Sequence, residues 1–347
     1  MVVPTGIGCE IGGYAGDALP AARLLAAASG CLITHPNVLN GASLYWSDRR
    51  MHYVEGWSLN RFAAGDLLLR PVRQQTIGLL LDAGLEPELR HRPLQVADGC
   101  RATLGLAIGP VVVTDEPLQV TLSLGASGVS WGKLGRPDAL LRAGERLKAA
   151  GASAIAVVAR FPDDSGSAAL AAYRQGSGVD ALAGAEAVIS HLLSRTFGLP
   201  CAHAPALTPL PLDPALDPRA AGEELGFTFL SCVLVGLSRA PDLVAPEAYR
   251  CGDLQADQLG AVIVPDGALG GEAVLAAHGR GVPLIVVRAN RSLLSVDAAA
   301  LGLEDAGTVL PASSYAEAAG LVTALREGLS TAALQRPLRS LTVSADA

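Results

Sequence analysis

The residue types that can transfer a proton or form a covalent bond follow apolar, strand-like runs of this chain. Lys133 stands out among them, because the chain has 24 arginines and only two lysines. The pKa of an amine, unlike that of a guanidinium, can fall far enough to make it a base or a nucleophile. Its loop, GASGVSWGKLGRPD, also offers Ser127, Ser130 and Arg136. The pattern predicts a flexible loop that holds a phosphate or carboxylate, and a solvated loop is the alternative.

A second polar loop, THPNVLNG, follows the apolar run CLI and contains His35, Asn37 and Asn40. A histidine can exchange a proton near neutral pH, and side-chain amides can orient a ligand. We expect His35 to act in proton transfer and the two asparagines to bind substrate. A turn shaped by Asn and Pro is the alternative interpretation.

Acidic residues follow the run ASAIAVVA at Asp163 and Asp164, shortly after Arg160. Paired carboxylates can bind a divalent metal or serve as acid and base, and an arginine can bind an anionic substrate. We expect the two aspartates to be catalytic and Arg160 to bind substrate. A solvated turn is the competing interpretation.

Cys201 and His203 lie in the segment CAHAP of a proline-rich stretch. A thiol and an imidazole at this spacing can form a nucleophile with its base, or half of a metal site. The sequence predicts a catalytic or ligand-contacting role for His203 and leaves the reactivity of Cys201 open. We interpret His191 as an ordinary residue of the preceding helix.

Glycine-rich loops follow two of the strand-like runs and precede helices, where backbone N–H groups can bind an anion. Their candidate residues are Thr5, Gly6, Gly8, Gly12 and Gly13 in the first loop, and Gly270 and Gly271 in the second. Ser238 and Arg239 follow another apolar run and are expected to bind substrate as well. The glycine spacing does not match a dinucleotide fingerprint or a P-loop. The cofactor is therefore unassigned, with a divalent metal left open.

The elements that must position these residues are apolar strands that alternate with helices rich in Ala and Leu. This pattern predicts an α/β fold of mostly parallel sheets with helices on both faces. We expect two Rossmann-like lobes, at 1–107 and 216–347, joined by a central region at 108–215 that ends in a proline-rich connector. The run FLSCVLVGL is predicted to be a strand. Loops at the carboxyl ends of parallel strands share an edge, so the site is expected in a cleft between the lobes.

Composition and charge narrow the class of protein. The 26 basic and 33 acidic residues give a net charge of −7, and aromatic residues make up 4% of the chain, which argues against a nucleic-acid surface. The apolar runs are shorter than the ~20 residues that a membrane-spanning helix needs. The N-terminal residues show no pattern of a secretory signal. We expect a soluble cytoplasmic protein without nucleic-acid or membrane partners, and a homo-oligomer is left open.

Several stretches carry a resemblance over almost the whole chain. They are GGYAGDALPAAR, LITHPNVLNGASLYW, RPVRQQTIGLLLDAGLEPELR, AIAVVARFPDD, GVDALAGAEAVISHLLSRTF and PCAHAPAL. In these stretches the chain resembles an uncharacterised family of cyanobacterial and plastid proteins that is known as a domain of unknown function. The resemblance implies a bacterial cytoplasmic or plastid setting. It implies no reaction and transfers no catalytic residue.

Together the loops predict an enzyme that binds a small phosphorylated or carboxylated metabolite between the lobes. Hydrolysis or group transfer is favoured over hydride transfer, because a dinucleotide fingerprint is lacking. Two alternatives stay open. One is a non-catalytic protein that senses a metabolite and regulates a partner. The other is a metal-dependent hydrolase that uses His35, His203 and the Asp163/Asp164 pair.

Overall fold

The computed structural model describes residues 1–4, 18–40, 48–125, 130–163, 166–224, 230–303, 307–334, 336–338 and 340–341. The strands are β1 (Val2–Val3), β2 (Leu32–Thr34), β3 (Met51–Tyr53), β4 (Leu68–Arg70), β5 (Ile77–Leu81), β6 (Ile108–Val113), β7 (Val120–Leu124), β8 (Ser130–Leu134), β9 (Ala154–Arg160), β10 (Cys201–Ala206), β11 (Asp242–Val244), β12 (Val262–Ala268), β13 (Leu284–Val296) and β14 (Val309–Ala312). The helices are α1 (Leu19–Ser29), α2 (Pro36–Leu39), α3 (Gly56–Ala64), α4 (Pro87–Leu104), α5 (Pro137–Ala149), α6 (Ala168–Arg174), α7 (Ala183–Phe197), α8 (Pro218–Gly222), α9 (Leu230–Leu237), α10 (Glu272–Gly279) and α11 (Tyr315–Arg326).

The first large sheet has six strands in the order β14-β13-β12-β1-β2-β3. Every neighbouring pair in it is parallel. Strands β1 to β3 come from the beginning of the chain and β12 to β14 from its last third, and β1 pairs with β12 at Val2 and Val262. The sheet therefore joins distant parts of the sequence, and its strands lie on both sides of the predicted boundaries at 107 and 215.

The second large sheet has four parallel strands in the order β10-β9-β5-β6. Two small antiparallel pairs, β4 with β11 and β7 with β8, lie beside the large sheets. Strands such as β9, which is apolar and buried along most of its length, need cover on both faces, as the sequence predicted. The α/β fold of mostly parallel sheets is thus confirmed.

The two large sheets share one apolar core. It contains Val3 of the first sheet, Leu79 of the second and Val233 of α9. The outer face of the first sheet packs against α3, where Phe62 is fully buried. The outer face of the second sheet packs against α5 and α7, where Ile189 is buried. The molecule is therefore layered, with helices outside each sheet and between them.

The run FLSCVLVGL is wrongly predicted as a strand, because Leu230–Leu237 form helix α9. A short apolar run has no polar face that distinguishes a buried helix from a buried strand. Helix α9 packs against α4, β9 and β10, and five of its eight residues are buried. Its residues are apolar apart from one serine and one glycine, so its sequence lacks the polar face of a surface helix.

Two predicted loops contain strands. In the proline-rich connector, Cys201–Ala206 form β10, which is an edge strand of its sheet and can accept Pro205 there. In the loop around Lys133, Ser130–Leu134 form β8, in which exposed Trp131 and Lys133 alternate with half-buried residues. Gly132 faces Ala185 of α7 so closely that a side chain would not fit. Gly132, one of the glycines that indicated a flexible loop, thus serves close packing.

Candidate functional site

Polar side chains from both large sheets meet beside the first turns of α3 and α7. His35 follows β2, Glu55 follows β3, and β2 and β3 are adjacent parallel strands. His191 belongs to α7 and His203 to β10 of the second sheet. Electrostatic interactions link His35 with all three of these residues. We call His35, Glu55, Asp180, Glu186, Ser190, His191 and His203 the histidine–carboxylate cluster.

His35 begins α2 as its N-cap, and its ring is in the neutral form near pH 7. The Asn37 N–H donates to His35 Nδ1 at 3.2 Å, which leaves the ring proton on Nε2. Burial lowers the pKa of His35 to about 4, and the charge of Glu55 offsets only part of this effect. His35 is therefore a hydrogen-bond donor at neutral pH rather than a cation.

Glu55 is the N-cap of α3 and accepts a hydrogen bond from His191. Its carboxylate accepts the Trp57 N–H at 2.9 Å, and Oε1 lies 3.0 Å from His191 Nε2. The side chain of Glu55 is 3% exposed, whereas that of His191 is 41% exposed. Burial alone raises the pKa of Glu55, but the hydrogen bonds from His191 and from Trp57 hold that pKa below its ordinary value. A buried carboxylate thus orients an accessible imidazole.

Gly56 separates the two imidazoles that face each other in the cluster. A Cβ atom at this position would lie 2.8 Å from His191 Nε2 and 3.3 Å from His35 Nε2. Both Nε2 atoms therefore approach the same point of the α3 backbone. A larger residue at 56 would push the rings apart, so the glycine is required by the close approach of the two histidines.

The second half of the cluster joins α7 to β10. His203 Nε2 lies 3.4 Å from Glu186 Oε2, and the Ser190 hydroxyl lies 2.5 Å from His203 Nδ1. With the ring proton on Nε2, His203 donates to Glu186 and accepts from Ser190. Asp180, just before α7, accepts the Leu182 N–H at 2.8 Å. Burial raises the pKa of Asp180 to about 7, and the charge of Glu186 adds to the rise.

A cavity of about 560 Å³ lies along β3, the strand that precedes Glu55 of the cluster. Tyr53 lines this cavity, and Glu55 follows it by two residues. Leu39, at the end of the helix that His35 caps, lines it too. Arg49, Arg73 and Arg239 bring positive charge to its lining. We call it the arginine-lined cavity.

The structure separates the residues that the sequence predicted to be catalytic. His35 and His203 belong to the cluster, whereas Asp163 accepts hydrogen bonds from Arg160 at 2.7 Å and from the Thr208 N–H at 2.9 Å. Arg160 holds the pKa of Asp163 down at about 2, and Thr208 contributes to this. Asp163 is therefore charged and fully engaged at the carboxyl end of β9. Asp164 lies outside the described residues, and a catalytic role for this pair stays a prediction.

Lys133 and Arg136 lie near the β7–β8 hairpin. Lys133 is exposed on β8, with Nζ 5.1 Å from the centroid of the Trp131 ring. Arg136 forms ion pairs with Glu116 and with Asp138, the latter at 2.8 Å. The positive charge of Arg136 is thus already matched by carboxylates. The roles predicted for these two residues and for Ser130 on β8 stay predictions.

The predicted binding residues are distributed over several elements. Asn37 is bonded to His35 as described, and buried Asn40 accepts the Tyr53 hydroxyl at 3.0 Å. Ser238 donates to the Val235 carbonyl at 2.6 Å, and its neighbour Arg239 lines the arginine-lined cavity. Gly270 packs against Val296, and Gly271 is the N-cap of α10. The candidates outside the described residues are Thr5, Gly6, Gly8, Gly12, Gly13 and Ser127.

Within the described ranges, no group of three or more His, Cys, Asp or Glu residues is arranged to hold a metal ion. Across the same residues, no helix combines the length and the apolar character needed to cross a bilayer.

Cys201 is buried, and burial raises the pKa of its thiol well above the usual range. A thiol in that environment is a weak nucleophile at neutral pH.

Comparison with known proteins identifies the family. Residues 1–335 match the family described as "Protein of unknown function (DUF3326)". The chain belongs to this family. A protein of Synechococcus sp. named "Uncharacterized lipoprotein" is 55% identical over 334 residues, which are 96% of this chain and 92% of that protein. No solved structure matches. The resemblance to an uncharacterised cyanobacterial family is confirmed, and DUF3326 brings no known reaction with it.

The name of the Synechococcus relative corrects the expected localisation. Its name, lipoprotein, denotes a lipid-modified protein that is anchored to a membrane. The cytoplasmic localisation that we expected from the N-terminal residues is wrong by this comparison. That expectation also depended on the shortness of the apolar runs. Short runs argue only against membrane-spanning helices, and a lipid anchor does not need such a helix.

Sequence reasoning about this DUF3326 chain missed Glu55, Glu186 and the contact that His191 makes. Glu55 precedes GWSLNRFAA, and an acidic residue before such a segment is a signal for the start of a helix. His191 follows Glu186 by five residues on α7, and nothing local links either residue to β2 or β3. Only the packing of α3 against α7 brings them together. The N-cap at Glu55 was therefore the one available signal.

Proposed function

We propose that the protein is an enzyme that binds a small anionic metabolite and acts on it by general acid–base catalysis, in a hydrolysis or group-transfer reaction. The observation that carries the proposal is the 3.0 Å contact between Glu55 Oε1 and His191 Nε2 beside the Nε2 atom of His35. A carboxylate–imidazole pair of this kind can take a proton from water or from a hydroxyl group.

His191 is the proposed general base. Because His191 Nε2–H donates to Glu55, the other ring nitrogen, Nδ1, is the acceptor. The partial exposure of the His191 side chain gives a substrate or a water molecule access to the ring. Glu55 is the positioning residue, because its low pKa keeps it negative and a negative partner stabilises the imidazolium that forms.

His35 is the proposed hydrogen-bond donor to charge that develops on the substrate. Its ring is neutral at physiological pH, and its Nε2–H group faces the same side of Gly56 as His191. A neutral donor that is fixed by the Asn37 N–H can stabilise an oxyanion without reorganising. The donor thus lies beside the ring of the proposed base, since both imidazoles adjoin Gly56.

An anionic substrate is supported by the arginine-lined cavity. The cavity lies on β3, the strand that leads directly into Glu55, and three of its lining residues are arginines. Positive charge in a binding cavity attracts and orients anionic substrates.

The test is turnover of a library of phosphorylated and carboxylated metabolites by the purified protein, followed by mass spectrometry. For a substrate that is consumed, we expect His191→Gln to lower kcat/KM by roughly 10²- to 10⁴-fold. Glu55→Gln should lower kcat more than it changes KM. His91→Gln is the matched control, because His91 is exposed on α4. Unchanged turnover in His191→Gln, or metabolites that bind and are recovered intact, would overturn the enzymatic proposal and favour a sensing protein.

A further inference from the structure

The arginine-lined cavity has an apolar interior. Leu39 and Tyr53 are buried residues of the shared core, and Met51, Val72 and Val235 continue the apolar lining. The volume of about 560 Å³ lies in the range of small-molecule sites, which are mostly apolar with a few polar groups that fix orientation. A ligand that fills this cavity must therefore present an apolar body to it.

The rim of the cavity is positively charged. Arg49 and Arg73 are exposed, and neither forms an ion pair with any residue in the described ranges. The acidic residue of the lining, Asp48, is already bound by Arg50 at 2.6 Å. Arg239 adds a third guanidinium to the lining. Guanidinium groups bind carboxylates and phosphates through charge-assisted hydrogen bonds, so the rim is complementary to an anion.

From this juxtaposition we infer that the arginine-lined cavity binds an amphipathic anion, a small molecule with a carboxylate or phosphate head and an apolar body. The body lies against Tyr53 and Val235, and the head lies between Arg49 and Arg73. The apolar part distinguishes this ligand from a sugar phosphate or a nucleotide, whose polar groups would find few partners here.

The ligand of this cavity is the substrate of the proposed enzyme, and only this identification rests on the proposed function. The tie between the two sites is structural. His35 caps the short helix α2, whose last residue, Leu39, lines the cavity. Binding at the cavity and proton transfer at the cluster involve different side chains, so separate variants can test them.

The experiment measures binding to the full chain by isothermal titration calorimetry with four probes: octanoate, octyl phosphate, 1-octanol and acetate. We expect octanoate, octyl phosphate or both to bind, and 1-octanol and acetate to bind at least tenfold more weakly. The double variant Arg49→Gln/Arg73→Gln should weaken anion binding at least tenfold. Arg92→Gln is the matched control, because Arg92 is an exposed arginine on α4, and it should leave the affinity unchanged.

A cavity-filling variant separates loss of charge from loss of space. Val72→Trp should abolish binding of both anionic probes while urea unfolding shows that the protein stays folded. Equal binding of 1-octanol, no binding of either anionic probe, or unchanged affinity in the double arginine variant would overturn the inference. His191→Gln should bind the probes as the wild type does, so a failure of acid–base catalysis and a failure of the cavity are distinguishable.

Discussion

Burial acts in opposite directions on two titratable residues of the cluster. It holds the pKa of His35 at about 4, below the ordinary value of 6.5, and raises the pKa of Asp180 to about 7, above 3.8. In both cases desolvation favours the neutral form. The groups around His35 are Glu55, His191 and His203, with Glu186 behind them. Each residue therefore makes the free energy of unfolding depend on pH, but with opposite sign.

For His35, the contribution to the free energy of unfolding is complete above pH 6.5. It is lost as the pH falls from 6.5 through about 4, because the unfolded chain binds a proton in this range and the folded protein does not. We expect the free energy of unfolding to fall by about 2 kcal/mol from this residue between pH 6.5 and 5. In His35→Asn this part of the loss should disappear. Urea unfolding at several pH values checks it, with His91→Asn as control. A variant with the wild-type pH profile would contradict the assignment.

For Asp180, stability is complete below pH 3.8 and is lost as the pH rises through about 7, because the folded protein retains a proton that the unfolded chain releases. Asp180→Asn keeps an oxygen that can accept the Leu182 N–H and removes the titration. We expect this variant to gain stability relative to the wild type as the pH rises from 5 to 8. The same urea series measures it, and a constant difference between the two proteins across that range would refute the prediction.

At the scale of elements, glycines allow the β7–β8 hairpin to rest directly on the start of α7. A Cβ atom on Gly184 would lie 2.3 Å from the Trp131 Cα atom, and one on Gly132 would lie 2.3 Å from the Ala185 Cβ atom. Backbone atoms cannot move aside as a flexible side chain can. The close contact thus positions the helix that carries Glu186, Ser190 and His191.

We expect Gly184→Ala to lower the free energy of unfolding by about 1–3 kcal/mol, because it forces the hairpin and the helix apart. The matched control is Gly99→Ala in the middle of α4, where a Cβ atom meets nothing within 4 Å. There the substitution should stabilise by roughly 0.5–1 kcal/mol, because alanine favours a helix more than glycine does. Urea denaturation compares the two, and equal effects would disprove the packing role.

Elements differ in how well the sequence predicts them, for physical reasons. Strands β5 and β9 are predictable because a continuous apolar run between turn residues has few other solutions. Helix α9 is not, because its almost wholly apolar sequence lacks the pattern that a helix shows at a surface. In the site, His35 is predictable because it is a polar residue directly after a buried strand. The position of His203 beside α7 is not predictable in this way, because it follows from the pairing of β10 in the second sheet. Glu55 and His191 meet only through tertiary packing, which local patterns do not encode.

At the scale of the whole molecule, the shared core makes the two large sheets one cooperative unit. Leu234 of α9 is fully buried in the core that also contains Ile263 of the first sheet and Ala156 of the second. Residues of both sheets therefore lose contacts together when this helix is disturbed. Contacts shared in this way favour a common unfolding transition of the two sheets.

We expect Leu234→Ala to lower the free energy of unfolding by about 2–5 kcal/mol, since it leaves a cavity in the shared core. Two reporter proteins test whether both sheets respond. One keeps Trp57 on α3 as its sole tryptophan, and the other keeps Trp131 on β8. Urea midpoints from the two reporters should coincide and shift together. Separate transitions would show that the sheets unfold as independent units.

The arrangement of the first sheet has a consequence for synthesis on the ribosome. Strand β1 lies between β2 and β12, and β12 begins at Val262. A nascent chain that has not yet reached this residue has no partner for one side of β1, whereas the four strands of the second sheet are already complete by Ala206. The strands of the second sheet thus emerge first, and the first sheet, with the core that both share, must wait for the last third of the chain.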